Sequence, residues 1–179
     1  MPDSDQELIR RVLASDNRDA FGLLVRRHQS SVRGFLRHLT RGDHALGDDL
    51  AQEVFIRAYR GLSGYRGETV FQSWLLGIAH NLWRNAQRKQ RTQVELSETG
   101  PECLVPDDTR QTDLRADLGA ALDRLPDDER NALHLGYARG LSHPDIAATL
   151  GCPLGTVKTH LARGKEKLRI LMAAWNPTA

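Results

Sequence analysis

Apolar residues recur at three- and four-residue steps along most of this chain, and no segment alternates convincingly with period two. Phe21, Leu24, Val25, His28, Val32, Phe35, Leu36 and Leu39 keep the helical step over several turns. Leu50, Val54 and Ala58 do the same, as do Trp74, Ile78 and Leu82. Ser4-Asp5-Gln6-Glu7 reads as a capping box ahead of Leu8, Val12 and Leu13. Nearer the C-terminus, Leu114, Leu118, Leu122 and Leu125 form a stripe that ends at Pro126. No Asn-Gly or Asp-Gly hairpin signal interrupts this pattern. The predicted class is all-α.

The periodicity fails once, between residues 91 and 112, where two Pro and a Gly accompany five acidic and two basic residues. Structureless loops beyond about 12–15 residues are uncommon inside compact domains, so the stretch reads as a flexible acidic linker between two small helical domains. The expected boundaries are 1–91, a linker over 92–112, and 113–179.

The C-terminal part carries the sharpest local signal. Ser142 suits a helix N-cap, with Pro144 tolerated in the first turn. Ile146, Ala147 and Leu150 supply an apolar side, and Gly151 suits the left-handed position that ends a helix. Pro153 then fits the opening turn of a second helix, which completes a helix-turn-helix pattern. At about 100° per residue, Val157, Leu161, Leu168, Leu171 and Met172 share one side of that second helix. Gly164 lies near this stripe, where the missing side chain permits close packing. Thr156, Thr159, His160, Arg163 and Lys167 fall opposite, and Lys158 lies on the flank, better placed for phosphate. Hydroxyls and basic side chains near a helix start suit the major groove, so this helix is the candidate DNA reader.

Six of the ten aromatic residues fall between Phe55 and Trp83. Beyond Glu68 no acid occurs until Glu95, while Arg84, Arg88, Lys89 and Arg91 accumulate. Aromatics beside an acid-free basic helix suit a single strand, whose bases stack and whose phosphates pair. His80, Asn81, Arg84 and Arg88 are placed on one face of this helix, away from Leu75, Ile78, Ala79 and Leu82. Phe55, Phe71 and Trp74 are assigned to the core, and Tyr65, beside Gly64 and Arg66, to the surface. On the preceding helix, predicted to start near Asp48, the residues Asp49, Gln52, Glu53, Ile56 and Arg60 lie opposite the apolar side. An exposed Ile among polar groups can anchor a protein partner.

Composition narrows the classes. Apolar residues make up 40% and charged residues 27%, as in folded soluble proteins. Two cysteines cannot build a disulfide scaffold or a Cys-rich zinc site. The longest uncharged run, Thr69–Trp83, has 15 residues and contains Gln72, Ser73, His80 and Asn81, so insertion into a membrane is not expected. The N-terminus lacks signal-peptide order, and a cytoplasmic location is expected. The net charge of +2 hides segregated fields: +4 over residues 1–90, −3 over 91–112 and +1 over 113–179.

Three motifs in order resemble the sigma-70 family, in its extracytoplasmic-function (ECF) class. Asp48-Asp49-Leu50-Ala51-Gln52-Glu53-Val54-Phe55 is similar to the family's core-polymerase-binding helix. Phe71-Gln72-Ser73-Trp74-Leu75 through Ile78-Ala79-His80-Asn81 resembles its promoter-melting and −10-reading segment. The stretch from Gly155 to Gly164 resembles its −35-reading helix. His80 and His160 stand where this class usually has Arg, and Gly164 where Ala is frequent. The resemblance implies a transcription initiation factor with no chemistry of its own, no cofactor and no metal. Asp48, Asp49, Gln52, Glu53 and Ile56 would meet core RNA polymerase, at the clamp of its largest subunit, with the polymerase flap a further partner site. Tyr65, Arg66, His80, Asn81, Arg84 and Arg88 would serve the −10 element. Thr156, Lys158, Thr159, His160, Arg163 and Lys167 would serve the −35 element of promoter DNA. The linker would run through polymerase channels, and an anti-sigma factor would be the regulator.

Two other classes compete. The Gly155–Leu161 stretch is also close to the recognition helix of LuxR-type response regulators, which usually carry a separate receiver domain. The N-terminal half shows no βαβ alternation for one. A nuclease could use Asp48, Asp49 and Glu53 as metal ligands, but no second ligand cluster accompanies them.

Overall fold

A computed structural model describes residues 3–96 and 113–173. Among these residues there is no strand, and the chain divides into two compact units, Met1–Glu102 and Cys103–Ala179.

The first unit contains α1 (Asp5–Ser15), α2 (Arg18–Leu39), α3 (His44–Gly61), a 3₁₀ turn (Leu62–Gly64) and α4 (Phe71–Leu96). Each of the first three helices opens on a side-chain cap. Ser4 Oγ accepts the Glu7 N–H at 3.2 Å, Asn17 Oδ1 the Ala20 N–H at 2.9 Å, and Asp43 Oδ1 the Leu46 N–H at 3.0 Å. The Asp43 cap starts α3 four residues ahead of the expected Asp48. α4 runs on to Leu96, past the expected domain end at 91. The rest of the expected linker, 97–112, lies outside the described residues.

α2 is the central helix and packs against α1, α3 and α4. Its Leu24, Val32, Phe35, Leu36 and Leu39 are buried with Leu50, Val54 and Ala58 of α3 and Leu75, Leu76 and Ala79 of α4. Each large side chain so buried contributes about 1.5–3 kcal/mol. α1 is held by polar contacts as well. Asp5 accepts hydrogen bonds from Arg27 and, at 2.9 Å, faces His28 Nε2.

The second unit contains α5 (Asp113–Asp123), α6 (Asp127–Leu133), a π turn (His134–Ala138), α7 (His143–Leu150) and α8 (Leu154–Ala173). Ala132, Leu133, Leu135, Ile146, Val157 and Leu161 form its core. Of the stripe expected there, Leu125, just past the end of α5, is buried and Leu122 half-buried, but Leu118 is 42% exposed and Ala121 is buried instead. α5 packs mainly on α8, and a single neighbour covers only a narrow arc. Arg130, 2% exposed, is held in this core by Asp127 at 2.9 Å and Asp123 at 3.5 Å.

Candidate polymerase and nucleic-acid interfaces

α3 buries Leu50, Ala51, Val54 and Ala58 and turns its other side to water. Asp49, Gln52 and Arg60 are exposed there, and Ile56 is 45% exposed. Glu53, half-buried, accepts the Arg57 Nε–H at 2.7 Å, and Asp48 lies 3.7 Å from Arg33 Nε. The residues expected to meet a protein thus share one face, with the Ile at its apolar centre. The far end of α3 is fixed by Tyr59. Its hydroxyl donates to the Asp16 carboxylate and its ring meets Phe21 edge-on at 4.9 Å. That hydrogen bond to a carboxylate pushes the phenol above its ordinary range.

The −10 candidates fall into two groups. Asn81, Arg84 and Arg88 are exposed along α4, and Arg66 is exposed in the loop before it. His80 is not on that surface: it is 5% exposed and its ring lies 5.8 Å from that of Trp83, which is 8% exposed. The reason is the width of the buried arc. α4 packs on both α2 and α3, so Ser73, Leu76, His80 and Trp83 are buried along with Leu75, Ala79 and Leu82. A wheel that assumes one apolar stripe leaves His80 outside.

Tyr65 is also more committed than expected. It is half-buried, its hydroxyl donates to the Thr69 carbonyl at 2.6 Å, and its ring meets Phe71 edge-on at 5.3 Å. Trp74 tilts against it at 5.4 Å and stacks on Phe71 at 5.5 Å. Gln72 Nε2 donates to Ser31 Oγ at 3.0 Å and ties the start of α4 to α2. Tyr65, Phe71 and Trp74 therefore form one aromatic cluster at the head of the basic helix, and Val70 beside it is 53% exposed.

In the second unit the turn chemistry sets the aim of α8. Ser142 Oγ accepts the Asp145 N–H at 3.3 Å. Gly151 ends α7 at φ +65°, a conformation that favours glycine. The Val157 N–H then bonds the Pro153 carbonyl at 3.2 Å as α8 begins. Val157, Leu161 and Gly164 face inward. Lys158, Thr159 and Arg163 are exposed, and Thr156 and His160 are half-buried. The Thr159 hydroxyl donates to the Gly155 carbonyl at 3.0 Å, which leaves its oxygen free to accept.

Lys167 does not join this outward set, because its Nζ donates to Glu129 Oε1 at 2.8 Å, and Glu129 is 5% exposed. Its ammonium is turned toward α6. Tyr137, left unassigned by periodicity, is 67% exposed and holds Lys165 Nζ 5.2 Å from its ring centroid. It lies in the π turn, whose wider step shifts the helical register. Cys152, in the turn between α7 and α8, is half-buried; burial, and then the Asp128 charge, push its thiol upward.

Among the described residues no three His, Cys, Asp or Glu side chains are grouped to hold a metal, and no helix is long and apolar enough to cross a membrane.

Known proteins share this layout. Residues 24–93 match the model of Sigma-70 region 2, and residues 115–168 that of Sigma-70, region 4. The ECF RNA polymerase sigma-E factor of Haemophilus influenzae is 37% identical, over 92% of this chain and 93% of its own. The sigma-H factor of Pseudomonas aeruginosa is 32% identical, over 93% and 92%. Among solved structures, the sigma factor RpoE of Bartonella quintana, in complex with the anti-sigma factor NepR, aligns with a TM-score of 0.70 and 27% identity. It covers 86% of this chain and 96% of that one. CnrH, in complex with the cytosolic domain of CnrY, aligns at 0.69 with 25% identity, over 96% and 99%. Both regions occur in order on one chain, which the LuxR-type alternative does not account for. The chain belongs to the sigma-70 family, as an alternative sigma factor of the ECF class.

Proposed function

We propose that this sigma factor joins core RNA polymerase through the outer face of α3 and directs it to promoters read by α4 and α8. The observation that carries the reading is Ile56: 45% exposed amid Asp49, Gln52 and Glu53, on a helix whose other side is fully packed. An aliphatic side chain held in water by a rigid helix and ringed by polar groups has the composition of a protein-interface centre. Asp48 flanks it. The clamp of the largest polymerase subunit is the surface assigned to it by the family resemblance.

Arg66, Asn81, Arg84 and Arg88 are assigned to the −10 element. Arginines along an exposed helix suit phosphates, and the Tyr65, Phe71 and Trp74 cluster beside them suits an unstacked base. Tyr65 serves as a wall of that cluster, and His80 supports α4 from inside. On α8, Thr156, Thr159, His160 and Arg163 are assigned to base edges of the −35 element and Lys158 to phosphate.

An anti-sigma factor is proposed as the regulator. The RpoE and CnrH structures hold partners of that kind or the cytosolic domain of CnrY. Such a partner would block initiation by covering the α3 face or the DNA-reading helices.

The test is to add the purified chain to core polymerase with a template library and map transcript starts. Initiation clustered at sites with shared −10 and −35 sequences supports the assignment. Tight binding to duplex operators by the chain alone, with no promoter-specific starts, would remove it.

A further inference from the structure

Between Asp19 and Asp43 the chain carries no acidic residue, five arginines and two histidines. α2 occupies most of this stretch. Its inner side, with Ala20, Leu24, His28, Val32, Phe35, Leu36 and Leu39, is buried. Arg26, Ser30, Arg33 and Arg37 are exposed. At about 100° per residue these four fall within about 60° of one another, so they form a narrow line along the helix.

The line is open to a ligand. Arg27, its neighbour, is turned aside to Asp5 and to the Asp3 carbonyl at 2.7 Å. Arg33 has only a 3.7 Å approach to Asp48, with both side chains about half exposed, and such surface pairs hold weakly. Arg26 and Arg37 stand at the two ends of the line; the exposed acid on this side of α2, Asp19, lies two turns before Arg26, outside the stretch from Arg26 to Arg37.

We propose that this face of α2 is a further nucleic-acid surface, one that grips a phosphodiester backbone without reading sequence. Arginine forks match phosphate oxygens in bidentate fashion, and a serine hydroxyl between them is a usual backbone donor. From Arg26 to Arg37 the helix rises about 16 Å, which spans about five phosphates at 3.4 Å of axial rise per strand. An acidic protein is the competing occupant. Between Arg26 and Arg37 the line itself has no aromatic or aliphatic side chain. Leu23, 39% exposed one turn before Arg26, is an apolar group at its edge rather than at its centre, whereas protein interfaces concentrate energy in a central apolar cluster. Three guanidinium groups and one hydroxyl with no apolar centre fit a polyphosphate backbone better. The α3 face, which has Ile56 at its centre and acids around it, is of the opposite kind.

The inference goes beyond promoter reading by α4 and α8, and its test does not need polymerase. The full chain is titrated against a labelled duplex that lacks promoter elements, at several salt concentrations. The comparison is with Arg26→Gln, Arg33→Gln, Arg37→Gln combined, and with the same three positions changed to Lys. Each lost duplex phosphate contact lowers the slope of log K against log salt by about 0.9. The Gln triple variant is therefore expected to lower it by about 2–3, with an unchanged melting profile, and the Lys triple variant to retain most of the slope. An unchanged slope in the Gln triple variant, or no salt-dependent binding by the unaltered chain at low salt, would overturn the proposal. So would a Gln triple variant that keeps the slope but no longer co-purifies with core polymerase, since that result would assign the line to a protein. Loss of promoter-specific initiation in the unaltered chain would strike the reading of α3, α4 and α8 instead.

Discussion

Gly164 of α8 faces Leu133 of α6 so closely that a Cβ on the glycine would lie 2.8 Å from Leu133 Cδ1 and 3.2 Å from its Cγ. Leu133 is 4% exposed and has little room to turn away. Two effects of Gly164→Ala therefore oppose each other. Alanine favours the helix by about 1 kcal/mol, while overpacking a filled site costs about 1–3 kcal/mol. The clash is expected to win, lowering stability by about 1 kcal/mol. Adding Leu133→Ala, itself costly by about 2–4 kcal/mol, should make the glycine change neutral or favourable. A denaturation double-mutant cycle measures this, and strict additivity would show that the two residues do not limit each other.

Lys167 Nζ donates to Glu129 Oε1 at 2.8 Å. Removing the ammonium leaves a carboxylate that is 7% exposed without this partner, although Lys167 itself is 45% exposed and partly screened. Lys167→Met should then cost about 1–2 kcal/mol of stability. Its effect on −35 binding should be no larger than the loss of folded protein explains. Reduced affinity and a shallower salt slope at full stability would return Lys167 to the DNA-facing side.

Helices, caps and the helix-turn-helix were legible because their causes are local. Ser4, Ser142 and Gly151 act within four residues of themselves, and each does in the structure what its type and position imply. Gly164 was legible for a related reason, since a small residue on an apolar stripe signals close approach. His80 and Lys167 were not, because their surroundings come from distant elements, and Tyr65 was not, because the loop before α4 folds its ring back onto Thr69, Phe71 and Trp74. A wheel for α4 does not contain the second helix that covers His80. The sequence near Tyr65 does not show that Thr69 takes its hydroxyl. Nothing within α8 says that Glu129, 38 residues earlier, faces Lys167. The Asp43 cap lies ahead of the pattern that runs from Asp48 to Ala58, so that pattern alone places the start of α3 too late.

Cys152 offers a pH-dependent check on the helix-turn-helix core. Burial and the Asp128 charge both disfavour its thiolate, so its folded-state value is raised. The neutral thiol is the form that the fold favours. The stability it contributes is therefore present below the ordinary thiol range and lost as pH rises through the raised value. Alkylation by iodoacetamide, followed by mass spectrometry of the Cys152 peptide, should gain speed only at higher pH in the folded chain than in denaturant. Matching pH profiles would show that the turn is open to water.

Arg163 is exposed on α8 with its neighbours Lys158 and Thr159. If its guanidinium spans two acceptors of one base, Arg163→Ala should weaken −35 recognition by about 1–3 kcal/mol and relax preference at one position. Transcription from a set of single-base −35 variants separates this from a phosphate role, which would weaken all of them equally. Unchanged use of every variant would remove Arg163 from the interface.

Ile56 and Glu53 test the α3 face in the same spirit. Both lie opposite Leu50, Val54 and Ala58, so changes there do not touch the packed side of the helix. Glu53→Lys reverses one charge and forfeits the Arg57 contact, an exposed pair worth about 0.3–0.5 kcal/mol. Ile56→Asp puts a charge where the proposed interface needs an aliphatic group. Burying that carboxylate against a partner costs several kcal/mol unless it finds a cation there. The combined variant should melt within a few degrees of the unaltered chain and yet fail to co-purify with core polymerase. It should still bind duplex DNA through α8 and the arginine face of α2. Undiminished co-purification would exclude this face as the docking surface.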